Sequence, residues 1–243
     1  MKTTLTSLVV LIALIVQVHA QAPTTFSVRE EIVKPSMTPK YQAALKKFKA
    51  SCEEAKLTFS WNTIAFDDNT YLFIAPLANT AELDKNPFAG LETKFGKEGT
   101  AKIWAEFDGC TESYSDYVIT RMADLSYLTP AAGENSRDVT FWYVEPGKEG
   151  EAQAILAEWK KLYESKKIQN GYSVYRIKWG KEFGYAIVAW GKSQSDIALK
   201  EEKSQELMGQ DGMALWMKTQ AITRKIYAKR GRLLPEYSYA ASK

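Results

Sequence analysis

The chain repeats itself, and that limits what it can fold into more than any other feature. Tyr143-Val144-Glu145-Pro146 matches Ile32-Val33-Lys34-Pro35, and Tyr185-Ala186-Ile187-Val188-Ala189 matches Tyr71-Leu72-Phe73-Ile74-Ala75. Met208-Gly209-Gln210-Asp211-Gly212 likewise matches Phe95-Gly96-Lys97-Glu98-Gly99. The separations at Pro35/Pro146, Tyr71/Tyr185 and Gly96/Gly209 are 111, 114 and 113 residues. So small a drift means matching elements with minor loop changes. Two copies of one module then fill the 243 residues, each the size of a small domain.

Each copy reads strand, helix, strand, strand, helix, strand. In the first, residues 26–33 alternate apolar and polar, the period of a strand. Thr38-Pro39 then starts a helix carrying Tyr41, Leu45, Phe48 and Cys52 at helical spacing. Residues 58–66 and 71–76 read as strands around the turn Asp67-Asp68-Asn69. A second helix from Gly99 carries Ile103, Trp104, Phe107 and Cys110, and residues 117–125 close the copy. In the second copy the strands are 139–144, 172–179, 185–190 and one within 226–234. Ala152, Ile155, Leu156, Trp159 and Tyr163 form one helical stripe, residues 195–207 an additional helix, and Gly212 opens the next. The expected class is α+β: two tandem ferredoxin-like βαββαβ modules, residues 21–130 and 138–243, joined by a linker at 131–137. Helices cover one face of each sheet, so the two bare faces are expected to pack sheet to sheet as a pseudo-dimeric α+β barrel.

Residues 1–20 read as a signal peptide: a basic start, an apolar run at 8–16, and Val18-His19-Ala20 as a cleavage site. The expected location is periplasmic or secreted, with no membrane attachment after cleavage. The net charge of +3 is too weak to imply a nucleic-acid partner. His19, the one histidine, falls in the segment to be removed. A mature chain without imidazole excludes Ser-His-Asp and Cys-His catalysis and His-ligated zinc or haem. No metal and no cofactor are expected.

Rings crowd the strands, and polar groups sit beside them. Trp61, Tyr143, Tyr175 and Tyr185 could line a cavity between the sheets and suit an apolar or aromatic ligand. Asn62, Arg121 and Arg176 could hold a carboxylate, a phenolate or an oxyanion there. Alternation puts Trp142 and Tyr143 on opposite faces, so both cannot point inward. The repeated Gly-x-x-Gly reads as a turn at a helix start rather than an anion site. Cys52 and Cys110, on neighbouring helices of an exported chain, are a disulfide candidate.

The strand-Pro-helix opening at 139–159, the hairpin Tyr175-Arg176-Ile177-Lys178-Trp179 with Tyr185-Ala186-Ile187-Val188, and the ending at 230–239 resemble the dimeric α+β barrel superfamily. The likeness extends more loosely to its NIPSNAP-like and antibiotic-monooxygenase-like members. The resemblance implies haem enzymes, cofactor-free oxygenases or isomerases as relatives. Its haem branch uses a proximal histidine, which this chain has nothing to match. The expected role is binding of a small apolar or aromatic molecule between the two sheets. The alternatives are a cofactor-free oxygenase or isomerase acting on a phenolic substrate, and a scaffold or interaction protein with a solid core.

Overall fold

The computed structural model describes residues 24–241. The signal-peptide segment at 1–20 lies outside the described residues. The strands are β1 (Thr25–Val33), β2 (Asn62–Phe66), β3 (Thr70–Pro76), β4 (Thr111–Arg121), β5 (Ser136–Val144), β6 (Tyr172–Trp179), β7 (Gly184–Gly191) and β8 (Thr223–Leu233). The helices are α1 (Thr38–Glu54), α2 (Ala89–Ala105), α3 (Glu149–Ser165) and α4 (Gln194–Ala221). Element order therefore repeats, β-α-β-β-α-β twice, with α1 and α2 on the first half and α3 and α4 on the second.

The eight strands close into one antiparallel barrel in the order β1-β3-β2-β8-β5-β7-β6-β4. Each half supplies four adjacent strands, and the halves are hydrogen-bonded at both seams, β2 to β8 and β4 to β6. The halves thus meet edge to edge in one closed sheet, not only face to face. Alternation decides what fills it. Val139, Phe141 and Tyr143 of β5 point inward, where Val28, Phe66, Leu72, Ile119 and Ile177 meet them. Trp142 and Val144 point outward under α3 and α4. The pocket expected between the sheets is therefore occupied by side chains. The first half buries its outer face in two further clusters under α1 and α2, one around Tyr41 and one around Phe48 and Trp61.

Two differences from the sequence reading have local causes. The second helix of the first half starts at Ala89, not at Gly99, and bends at Gly96 (φ 69°). The pair of helices expected in the second half is one element, α4, bent at Gly209 (φ 51°). No Cβ at Gly96 or Gly209 would touch anything, so the backbone angle alone demands glycine there. A Cβ on Gly99 or Gly212 would come within 2.8 Å of the Cβ of Phe95 or Met208. The repeated Gly-x-x-Gly is thus a kink followed by a close packing point. In addition, β4 begins at Thr111, so Cys110 precedes a strand instead of lying on a helix.

The closing segments of the halves are exchanged. After β4 the chain crosses to β6, where Tyr127 pairs with Tyr172 and Ser126 Oγ accepts from Val174 N at 3.0 Å. After β8 it crosses to β2, where Tyr239 pairs with Trp61 and Ser238 Oγ accepts from Thr63 N at 2.9 Å. Ser126-Tyr127 and Ser238-Tyr239 are themselves a repeat, 112 residues apart. Each half thus holds the other's tail.

Candidate functional site

Both cavities described here lie outside the barrel, between the outer face of the sheet and the helices. The one in the second half has a volume of about 590 Å3. Its floor is Trp142 of β5, Tyr172 of β6 and Ile187 of β7, and its walls are Trp159 and Tyr163 of α3 with Glu201 and Met208 of α4. Two indoles are fixed by hydrogen bonds: Trp142 Nε1 donates to Thr223 Oγ1 at 2.8 Å, and Trp159 Nε1 to Thr219 Oγ1 at 3.0 Å. Trp216 lines the same space and is 42% exposed, so the cavity opens to solvent beside it.

Two polar groups stand out against this apolar lining. Tyr172 Oη is buried and has no hydrogen-bond partner among the described residues. Burial raises its phenol above the usual range, and Tyr163 adds to the rise. Burial, with Glu201 nearby, pushes the Tyr163 phenol up to about 12. Glu201 is half-buried, and its carboxyl is raised above the ordinary range by burial and then by Asp138, against the pull of Arg230.

The first half has a cavity of about 800 Å3 in the corresponding place. Leu45, Phe48, Phe73 and Trp104 line it where Leu156, Trp159, Ile187 and Trp216 line the other, at separations of 111–114 residues. Trp104 is 41% exposed, like its counterpart. At the two polar positions the halves part. Phe59 and Phe88 line the first cavity, each 113 residues before Tyr172 and Glu201. Phe88 packs edge-on against Phe48 at 5.3 Å and against Trp104 at 5.4 Å, so rings occupy the place where the second half has a carboxylate. The first cavity also takes Trp179 from β6 of the second half. Its polar rim is satisfied: Arg29 pairs with Asp116 at 2.9 Å and lies 3.8 Å over the Tyr114 ring.

The chain matches no protein-family model and no curated protein. Solved structures do match. An anthrone oxidase-like protein superposes with a TM-score of 0.62 at 14% identity, over 92% of this chain and 95% of that one. A monooxygenase-like protein from Lactobacillus acidophilus NCFM gives 0.53 at 7% identity, over 91% and 98%. Chlorite dismutase from Candidatus Nitrospira defluvii, in complex with imidazole, gives 0.52 at 8% identity, over 88% and 92%. The chain has the dimeric α+β barrel fold. At these identities the likeness establishes the fold alone.

Haem held by a proximal histidine does not fit this α+β barrel. No imidazole lines either cavity, and the chain's one histidine is His19. Among the described residues no group of three or more His, Cys, Asp or Glu side chains could hold a metal.

The barrel separates the residues singled out from sequence. Tyr143 and Tyr175 face the interior. Asn62 pairs with Ile74, and Arg121 with Tyr175, which puts both on the same inner side near a barrel end. Trp61, Arg176 and Tyr185 face outward. Of these seven, Trp61 alone lines either cavity, the first. Arg176 and Tyr185 are cross-strand partners, with the guanidinium 5.2 Å over Phe183 and with Arg176 Nε and Tyr185 Oη both buried and unpartnered among the described residues. The disulfide considered between Cys52 and Cys110 is not formed. Both thiols are buried, but Cys52 packs under α1 beside Trp61, whereas Cys110 packs with Tyr41 and Tyr71 in another cluster. Sequence reasoning missed Tyr172 and Glu201 as a pair. The signal was present: at 113 residues each replaces a phenylalanine of the other copy.

Proposed function

We propose that this α+β barrel binds a small, largely apolar aromatic molecule in the cavity of its second half, between sheet and helices rather than between two sheets. The observation that carries the reading is a 590 Å3 space walled by fixed indoles, with one unpartnered phenol inside and an opening at Trp216. Rings offer broad apolar contact, and a buried hydroxyl without a partner gains by meeting a polar atom of a ligand. The test is titration of the purified chain with naphthalene, followed by tryptophan fluorescence and thermal shift. Binding is expected to quench the indoles and raise the melting temperature. No quenching and no shift at the solubility limit would reject the reading.

A second reading, a cofactor-free oxygenase or isomerase acting on a phenolic substrate, has support from the oxidase-like and monooxygenase-like neighbours and from Glu201 and Tyr172 sharing one cavity. Dioxygen uptake on adding anthrone, matched by anthraquinone formation without added cofactor, would support it. We also read the halves as ferredoxin-like modules, 21–130 and 138–243, with 1–20 as a signal peptide for export to the periplasm or beyond. No helix among the described residues is long and apolar enough to cross a membrane. Mass spectrometry of the mature N-terminus tests export: a chain beginning at Met1 or Lys2 rejects it.

A further inference from the structure

The second cavity is a copy of the first in which two phenylalanines have been exchanged for groups that handle protons. We propose that Glu201 is a general base and Tyr172 an oxyanion donor, so that the second half takes a proton from an acidic O–H or activated C–H of the aromatic ligand while the first half cannot. The inference rests on the binding reading above and adds to it a residue-level division of labour.

Three observations carry it. Glu201 and Tyr172 line one space, from α4 and β6, so a ligand between them can touch both. Neither is committed elsewhere among the described residues. Tyr172 Oη has no partner, and Glu201 enters no ion pair or side-chain hydrogen bond, whereas the nearby Lys200 is held by Glu134 and Asp196 at 2.6 and 3.0 Å. Their counterparts, Phe59 and Phe88, can neither accept nor give a proton, although the cavity around them is otherwise the same. A carboxylate against indole and phenol rings is poorly solvated, and so more basic than in water. The charged and titratable groups facing it are Asp138 from β5, Arg230 from β8 and Tyr163 from α3. Asp138 and Arg230 lie 3.5 Å apart and largely answer each other.

The step balances without an oxidant. The ligand's O–H or C–H bond breaks, its proton forms an O–H bond on the Glu201 carboxylate, and the electron pair left behind develops charge on a ligand oxygen that accepts a hydrogen bond from Tyr172 Oη.

The experiment uses the full chain and 5-nitrobenzisoxazole, an apolar aromatic probe. Loss of its C–H proton to a base opens the N–O bond and releases a coloured phenolate. The wild type is expected to accelerate the opening, with a rate that rises with pH around a midpoint above the ordinary carboxylate value of about 4.3. Glu201→Gln is expected to lower the rate on the order of a hundredfold and to flatten the profile. Tyr172→Phe should lower the rate several-fold and leave the midpoint in place. Phe88→Glu, in a Glu201→Gln background, should restore part of the rate by installing the base in the first cavity. If naphthalene binds but Glu201→Gln opens the probe as fast as the wild type, this inference is overturned and the binding reading stands. If naphthalene does not bind, both fall. Should Glu201→Gln not fold, the wild-type profile decides, and a rate independent of pH between 4 and 8 overturns the proposal.

Discussion

The two cavities compare two uses of one architecture. Their frames coincide down to the half-exposed tryptophan at each mouth, Trp104 and Trp216. Their linings differ where it matters for chemistry. Phe59 and Phe88 let the first half knit Phe48, Trp61, Trp104 and Phe107 into a ring-packed wall. Tyr172 and Glu201 leave the second half with a buried hydroxyl and a carboxyl that the fold itself does not satisfy. Unsatisfied groups cost stability. A half that carries them where its sibling carries phenylalanine has given up packing for reactivity, and the sibling shows what the packed solution looks like.

Substitutions can break or sharpen this contrast. The largest expected effect is in the first half: Phe48→Ala should destabilise by about 3–5 kcal/mol in urea unfolding, because it empties the centre of the ring cluster. Trp159→Ala, its counterpart, should cost less, since Trp159 is only partly buried and borders open space. Equal losses would mean that the second cavity is as tightly built as the first. Next come the kinks. Gly96→Ala and Gly209→Ala should each cost about 1–2 kcal/mol through the left-handed backbone alone, and by similar amounts if the halves are equivalent there. Tyr172→Phe should then raise stability by about 1 kcal/mol by removing a hydroxyl with no partner, and Phe59→Tyr should lower it.

The smallest effect is one of pH. The folded-state carboxyl of Glu201 is raised above its unfolded value. The folded chain therefore holds the proton more tightly, and stability falls as pH rises from the unfolded value through the raised folded one. Glu201→Gln should remove that loss. Its melting temperature should exceed the wild type's at pH 7, and the gap should close in acid, below both values. A gap that does not change with pH would mean that Glu201 is well solvated.

Much of this was legible before any coordinates. The proline and glycine pairs gave the order of elements, and the period of two along 139–144 separated Trp142 from Tyr143 correctly. The boundaries that slipped, at Ala89 and Thr111, lie where a helix continues through a left-handed glycine and where a strand opens with exposed polar residues, so neither shows a clear periodicity. The candidate site was less legible. Arg176 and Tyr185 were visible as a polar residue among rings, but alternation names two faces without saying which one meets a cavity.

Sequence by itself determined the duplication, the succession of strands and helices, the glycines that bend α2 and α4, and the want of an imidazole in either cavity. Each of these is a local or compositional property, fixed by spacing and residue type. Only the tertiary structure decided that the seams between β2 and β8 and between β4 and β6 close the sheet. That closure fills the interior with side chains and moves the usable space outside, under the helices. It depends on pairing segments more than a hundred residues apart, and no local pattern encodes which edge finds which partner. The same long-range pairing brings Tyr172 and Glu201, 29 residues apart on different elements, to the two sides of one cavity.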